Sequence, residues 1–497
     1  MTIFLRLSSH SQLTEVFGRI RSMSENNSKK KWYSSWAFRI PFIILLVLLF
    51  SFCSLVVVRG FQFKKEFAAN PLSVNQKNEL DLLLKNKYSE RYQIIQSLPY
   101  NLTGQKVSVG AGSAILIDVA NGNVIYEKNA DEVIPPASMT KLFAMYVVDE
   151  EVSAGRLHYD DIIPLPPECW ACNMPPHSSL MFLGEGHQVT LEELLLGLSI
   201  CSGNDAAYAL AYAVCGSMEA FVARMNQVAV GLGLSNTHFV ESSGYSELNT
   251  TTAREMAAFA KVYINHHPDS LKRFHSVEKF TYPKARNLAP GHVLAAQDFT
   301  QGLPRHITMS ITQQNTNPLL GKLPGCDGLK TGYIHESGYN LSLTAERNGV
   351  RFLSVTMKGP GNNTAEGQAG RVKDGTTLME YGFKNFADYD IENFVQPVFL
   401  KVYGSRERAV NLVPAFEVKT ETVPFITGET MAQNLEQVQV KVSVPQHLIG
   451  DVVLGYEYGQ IEVLLGDYVL DRIPLVADRQ IEKANVLIRA ADAVYCK

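Results

Sequence analysis

The chain is 497 residues long, 46% hydrophobic and 19% charged, with a formal net charge of −4. That length and apolar content allow two or three separately buried cores. The mildly acidic balance excludes an overall basic surface of the kind that binds nucleic acid.

In the first 40 residues, a cytoplasmic segment, Arg6, Arg19, Arg21, Lys29, Lys30, Lys31 and Arg39 outnumber Glu15 and Glu25. Residues 41–58, PFIILLVLLFSFCSLVVV, carry no charge and are just long enough to cross a hydrocarbon core as one helix. The basic excess ahead of them predicts a cytoplasmic N-terminus, softened by Arg59, Lys64 and Lys65 on the far flank. A cleaved leader is the rival reading, but Phe67-Ala68-Ala69 sets a bulky residue where cleavage favours a small one. A single-pass, uncleaved signal anchor is therefore expected, with everything after residue 59 outside the cytoplasm. Residues 59–104 read as a stalk, in which Asn75 to Gln96 has helical spacing and lets a catalytic domain stand off from the membrane.

A hairpin follows, Ala114 to Asp118 and Val124 to Glu127 joined across Asn121-Gly122. Next comes Ser138-Met139-Thr140-Lys141 ahead of the apolar run Leu142 to Val148. A serine opening a helix carries its Oγ at the positive end of the dipole, and a lysine three residues on shares its face. A lysine desolvated in a cleft loses its proton readily and can activate the hydroxyl, so the pair is a candidate nucleophile and base. The apolar helix Leu191 to Ile200 breaks at Ser202-Gly203-Asn204 before helix resumes at Ala206 to Cys215, which sets the triplet on a turn open to a cleft. Residues 217–265 read as helices in pieces. Through the loops of 266–310 are scattered His266, His267, His275, His292 and His306, read as surface residues and not as a metal site.

Lys330-Thr331-Gly332 precedes a second hairpin, Tyr339 to Thr344 and Val350 to Met357 across Asn348-Gly349, which predicts the triplet on an inner strand beside the cleft. Residues 375–386 read as a closing helix. Past about 389 the pattern turns to short strands, among them Val395 to Val402, Val438 to Val444 and Val452 to Tyr458. The stretch from 476 to 497 has the spacing of an amphipathic helix, suited either to a membrane surface or to packing on the strands before it. Six cysteines remain on the exported side once Cys53 is set aside, an even number that dictates no pairing. Cys169-Trp170-Ala171-Cys172 lacks a second ligand pair for zinc and is read as a loop disulfide or plain thiols; Cys201 reads as a packing residue whose thiol borders the Ser202 triplet.

The order Ser-x-x-Lys, Ser-x-Asn, Lys-Thr-Gly resembles that of the low-molecular-mass penicillin-binding proteins, serine D-alanyl-D-alanine carboxypeptidases of bacterial cell walls. The likeness extends to Ser179-Leu180-Met181-Phe182-Leu183, Asp205-Ala206-Ala207, Thr252-Ala253-Arg254-Glu255-Met256 and Gly338-Tyr339-Asn340-Leu341, and covers roughly residues 105–475. It implies an α+β fold: a β-lactamase/transpeptidase-like catalytic domain over 105–388, an antiparallel sheet with a helical cluster, then a small all-β domain over 389–475 and a terminal helix. It also implies removal of the terminal D-alanine from peptidoglycan stem pentapeptides, with no cofactor or metal, inhibition by β-lactam antibiotics as covalent inhibitors, and a place on the outer side of the bacterial inner membrane.

On that resemblance Ser138 attacks the carbonyl between the two D-alanines and Lys141 takes its proton. Ser202 passes a proton to the leaving D-alanine, and Asn204 holds the acyl-side amide. Lys330 and Thr331 of the Lys330-Thr331-Gly332 triplet bind the free carboxylate, a cation and a hydroxyl donor being suited to it. The backbone N–H groups of Ser138 and Tyr333 form the oxyanion hole, and Arg371 stands near the carboxylate site. Tyr333 departs from the family, which often has His or Thr after Lys-Thr-Gly. Three alternatives use related parts: a D,D-endopeptidase, a non-catalytic wall-associated scaffold, and a class A β-lactamase, against which Tyr245 stands where its deacylating glutamate belongs.

Overall fold

The computed structural model describes residues 36–64, 70–100, 107–425 and 435–496. Helix α1 (Trp36–Lys64) contains an apolar stretch, Phe38–Gln62, long enough to cross a membrane. It outlasts the uncharged stretch because Arg59 and Gly60 continue the helix against protein.

Helix α2 (Val74–Lys87) begins at a capping box between Ser73 and Gln76 and ends well short of Gln96. The expected stalk is docked. Leu80 and Leu84, one turn apart, are buried in the C-terminal core, Arg91 pairs with Asp471, and Tyr92 donates to the Ala415 carbonyl at 2.8 Å. An i,i+4 leucine stripe is a burial face, and here the C-terminal sheet covers it.

Strands β1 (Ser113–Asp118) and β2 (Asn123–Lys128) form the first hairpin. Gly122 has φ +83°, and a Cβ there would lie 2.3 Å from the Ile94 carbonyl oxygen. The helices are α3 (Lys141–Ser153), α4 (Leu191–Ile200), α5 (Asn204–Cys215), α6 (Met218–Gly231) and α7 (Ala253–His266). A small hairpin of β3 (Lys279–Tyr282) and β4 (Ile311–Gln314) follows. Then come β5 (Cys326–Ile334), β6 (Gly338–Arg347) and β7 (Val350–Gly359), the last two joined by Asn348 and Gly349, both at positive φ.

The antiparallel order β2-β1-β7-β6-β5 makes the main sheet, with Gln96–Ser97 added in parallel beside β2. Its two faces alternate along β1: Ile115 and Ile117 point into the cluster of α3 to α7, Ala114 and Leu116 into the layer under α8 (Thr364–Asn385). Buried on both sides, the strand is a continuous apolar run. Helix α8 starts earlier than 375 because Asn363 caps it, and its first half is too polar and glycine-rich for an apolar pattern to reveal.

The remaining strands are β8 (Phe386–Asp390), β9 (Val398–Tyr403), β10 (Ala409–Pro414), β11 (Thr420–Pro424), β12 (Val438–Ser443), β13 (His447–Ile449), β14 (Glu457–Leu465) and β15 (Tyr468–Ala477). β8 pairs with β11, and the others form a six-stranded sheet of order β12-β14-β15-β10-β9-β13. The run expected as a strand at Val452 to Tyr458 is a turn at Gly455, φ +68°, leading into β14.

The terminal helix α9 covers Val486–Asp492, not 476–497, because Ile481 and Lys483 are bridged as extended chain to Val452 and Ser405. It packs on the end of α1: Asp492 receives Arg59, both buried, and Tyr495 donates to the Val56 carbonyl at 2.7 Å.

Candidate active site

Ser138 lies in a 3₁₀ turn, Ala137–Thr140, and Lys141 opens α3. The serine therefore does not open the α-helix itself. The tighter turn eclipses residues three apart, and Lys141 Nζ stands 3.0 Å from Ser138 Oγ. Two glycines let backbone close on this turn. A Cβ on Gly332 would sit 2.6 Å from the Pro136 carbonyl oxygen, and one on Gly244, φ +77°, 1.8 Å from that of Ala137.

Lys141 is fully buried, and its amine meets Ser138 Oγ, Asn204 Oδ1 at 2.8 Å and the Ser243 carbonyl at 2.5 Å. An amine brings at most three N–H donors, so these contacts account for all of them. Burial pushes its pKa down to about 7, against the opposing pull of Glu241 and Asp205. Such an amine is partly neutral near pH 7 and able to accept the serine proton.

Ser202, φ +56°, makes the turn between α4 and α5, and Asn204 is the first residue of α5. Asn204 Nδ2 donates to Ser178 Oγ at 3.1 Å. The next residue, Asp205, accepts the backbone N–H groups of Met181, Phe182 and Leu183 at 2.9, 2.8 and 3.0 Å, which fixes the Ser179 to Leu183 loop beside the cleft. From the opposite wall Lys330 Nζ reaches Ser202 Oγ at 2.9 Å and the Thr331 carbonyl at 3.1 Å. Burial, then the neighbouring Lys141 and Arg371, hold its pKa well below the ordinary lysine value.

The expected inner strand is in fact the sheet edge: β5 ends the strand order, with only β6 paired to it. Its register sets Lys330 opposite Ser342 and Gly332 opposite Asn340. The free side of an edge strand leaves backbone groups available to an extended peptide. Tyr333 is 49% exposed, its ring 4.4 Å from that of Tyr339. A cleft of about 440 Å³ is lined by Ser138, Ser179, Asn204, Gly244, Tyr245 and Tyr333, with Glu247 and Glu336 also along it. Arg371 supports this wall from behind. Its guanidinium donates to the carbonyls of Asn340 and Gly332 and to Gln368, so it braces β5 and is not spread open in the cleft.

Sequence reasoning missed the Ser243 carbonyl and Glu241, which lie on a loop with no motif of its own. It also misjudged His275. That residue is fully buried behind β5, within reach of Tyr263 Oη at 2.9 Å and the Leu329 carbonyl at 3.3 Å, and burial pushes its pKa down to about 4. Among the described residues no cluster of His, Cys, Asp and Glu has the arrangement of a metal site. All seven cysteines are free thiols, so Cys169 and Cys172 are unpaired. Burial pushes the Cys169 and Cys201 thiols up to about 12.

The constellation is a serine hydroxyl touching a neutralisable buried amine, with a second buried amine and hydroxyl across the cleft. Residues 101–361 match the family described as D-alanyl-D-alanine carboxypeptidase. The chain is 31% identical to the D-alanyl-D-alanine carboxypeptidase DacC of Escherichia coli over 80% of its own length and 90% of the relative's. For DacD of the same organism the values are 32%, 81% and 94%. Penicillin binding protein 5 from Haemophilus influenzae superposes with a TM-score of 0.60 at 26% identity, covering 77% of this chain and 100% of that one. Penicillin binding protein 6B from Escherichia coli gives 0.57 at 28%, covering 76% and 98%.

Proposed function

Since this chain belongs to the D-alanyl-D-alanine carboxypeptidase family, we propose that Ser138, Lys141, Ser202 and Asn204 are its catalytic residues and that Lys330, Thr331, Gly332 and Tyr333 bind the substrate. The protein is a serine D-Ala-D-Ala carboxypeptidase of cell-wall metabolism. The observation that carries the assignment of roles is the contact set of Lys141, which joins the nucleophile to Asn204 while burial leaves the amine near neutrality.

Neutral Lys141 takes the Ser138 proton as Oγ attacks the penultimate D-alanine carbonyl. The backbone N–H groups of Ser138 and Tyr333 receive the oxyanion, each such donor contributing about 3 kcal/mol in the transition state. Ser202, already bonded to Lys330, relays the proton that Lys141 took to the departing D-alanine amine, whose carboxylate is held by Lys330 and the Thr331 hydroxyl. Water then cleaves the acyl-enzyme. Arg371 acts through β5. The substrate is the stem pentapeptide of peptidoglycan, and β-lactams, which the penicillin-binding relatives are named for, acylate the same serine.

The parsing into a cytoplasmic segment to residue 40, an anchor at 41–58, a catalytic domain at 105–388 and a β-rich spacer or docking domain from 389 belongs to the same reading. An uncleaved single-pass anchor in the inner membrane is supported by the Arg59–Asp492 pair, which cleavage near Ala69 would sever. Residues 1–35, 65–69 and 101–106, which include the cytoplasmic stretch and part of the stalk, lie outside the described residues.

The test is intact-mass spectrometry of the detergent-solubilised chain after benzylpenicillin, with peptide mapping, beside D-alanine release from diacetyl-Lys-D-Ala-D-Ala. A Ser138 adduct with D-alanine release supports the assignment. Adduct without release points to an endopeptidase, penicillin turnover without adduct to a lactamase, and neither to a scaffold.

A further inference from the structure

Helix α6 and helix α7 are joined by a loop that carries Glu241, Ser243 and Gly244. Its Gly244 is pressed onto the Ser138 turn, and its Ser243 carbonyl is one of the three partners of the Lys141 amine. One carboxylate organises it. Glu241 Oε2 accepts the Ser243 N–H at 2.7 Å and the Ser243 hydroxyl at 2.5 Å; Oε1 accepts the Gly244 N–H at 2.6 Å and Asn249 Nδ2 at 2.9 Å. Asn249 ties the same loop to Thr140 Oγ1 at 3.2 Å, one residue from Lys141.

This is more acceptor work than a loop needs in order to turn. Among the described residues no lysine or arginine pairs with Glu241, so its charge is not cancelled locally. The charged groups facing the Lys141 amine come from three elements: Glu241 on this loop, Asp205 on α5 and Lys330 on β5.

We propose that Glu241 is a positioning residue for the general base, fixing the Ser243 carbonyl on the Lys141 amine and supplying the negative charge that keeps this amine basic enough to take the serine proton. The carboxylate touches neither substrate nor nucleophile and works through Ser243 and through its field. Of the two anions that oppose the effect of burial on Lys141, Glu241 is the stronger. Desolvation alone would leave a weaker base, and a base too weak does not pull the proton from a serine hydroxyl. The inference rests on the roles proposed above for Ser138 and Lys141.

The experiment is the pH profile of kcat and KM for diacetyl-Lys-D-Ala-D-Ala, and of the benzylpenicillin acylation rate, in the full chain and in Glu241→Gln, Glu241→Asp and Glu241→Ala. In Glu241→Gln the acid limb of kcat is expected to move down by about one pH unit, because the opposing charge is gone. Glu241→Asp keeps the charge on a shorter arm, so its limb stays in place while kcat falls. Glu241→Ala should lose about tenfold to a hundredfold in kcat with KM within about twofold, as expected for a misplaced catalytic group. Rates that fall in all three variants with an unmoved limb would reduce Glu241 to a loop brace and overturn the proposal. Should Glu241→Gln not fold, the acid limb of Glu241→Ala decides alone, since that variant also removes the charge and an unmoved limb in it sinks the proposal. A Ser138→Ala protein that still releases D-alanine would instead overturn the underlying assignment of roles, so the two failures are told apart.

Discussion

Lys330 Nζ donates to Ser202 Oγ at 2.9 Å across 128 positions of the chain, so the serine of one triplet is the partner of the buried lysine of another. Truncating either member disturbs both. Ser202→Ala leaves a buried amine with the Thr331 carbonyl as its remaining partner among the described residues and removes the proposed proton relay, so kcat should fall by about a hundredfold or more. Lys330→Ala should act chiefly on KM, by removing the cation proposed to meet the terminal carboxylate. Steady-state kinetics on diacetyl-Lys-D-Ala-D-Ala separates the two, and a Lys330→Ala protein with normal KM and lowered kcat would move Lys330 from binding to proton transfer.

Ser138→Ala removes the proposed nucleophile and leaves the turn intact, since among the described residues Oγ contributes only the contact with Lys141. No benzylpenicillin adduct should then appear in the intact mass, while the melting temperature shifts by only a few degrees. A persistent covalent adduct in this variant would place the nucleophile elsewhere.

Lys141 gives the pH dependence its sign. Burial lowers the proton affinity of the amine, bringing its pKa down to about 7 from the ordinary lysine value. The neutral form is the base, so acylation should rise with pH through about 7 and level off above it. For stability the same shift works in the same direction: the folded chain binds fewer protons than the unfolded one between about 7 and the ordinary value, and so gains stability as pH rises across that window. Benzylpenicillin acylation rates from pH 5 to 9 check the first statement, and an acid limb centred near 9 would contradict it.

Much of this arrangement is legible from residues because it rests on local chemistry. Asn121-Gly122 and Asn348-Gly349 mark their hairpins through backbone that tolerates positive φ, and the break at Ser202 interrupts two apolar helices at the place where the chain turns. The contacts that close the site are legible only in part. A backbone carbonyl such as that of Ser243 has no side-chain signature, and its meeting with Lys141 spans 102 positions. His275 looked like a surface histidine because its loop is polar, yet folding places it behind β5. The helical spacing of residues 75–96 suits a stalk, and only the fold buries Leu80 and Leu84 in the C-terminal core; the terminal helix is shorter than its spacing suggests because Ile481 and Lys483 serve extended chain here.

Arg59 and Asp492 pair at 3% and 1% exposure, joining the C-terminal end of α1 to the last helix. Asp492→Ala removes the carboxylate that meets both the buried Arg59 guanidinium and the Gly404 N–H, and losing one member of a buried pair costs about 3–5 kcal/mol. Calorimetry of the detergent-solubilised protein should show the C-terminal unit melting earlier, with penicillin acylation at Ser138 unaffected below that transition. An unchanged melting profile would mean that the pair holds little of this junction together.

The junction between the main sheet and the C-terminal domain has a pH response of the opposite sign. Asp388 on β8 faces Asp118 on β1, whose Oδ2 accepts from Thr422 Oγ1 at 2.6 Å, and Asp388 Oδ1 is buried without a hydrogen-bond partner among the described residues. Burial, then the hydrogen bond and charge of Asp118, push the Asp388 carboxyl up to about 9. The folded state therefore keeps a proton that the unfolded chain releases near pH 4. The stabilising effect of that proton is complete below the unfolded value and is lost as pH rises toward about 9, at no more than about 1.4 kcal/mol per pH unit. Asp388→Asn fixes a neutral group there at every pH. Its melting temperature should match the wild-type value below about pH 4 and exceed it increasingly toward pH 9, and a difference that stays constant across that range would show that Asp388 is ionised in the folded junction.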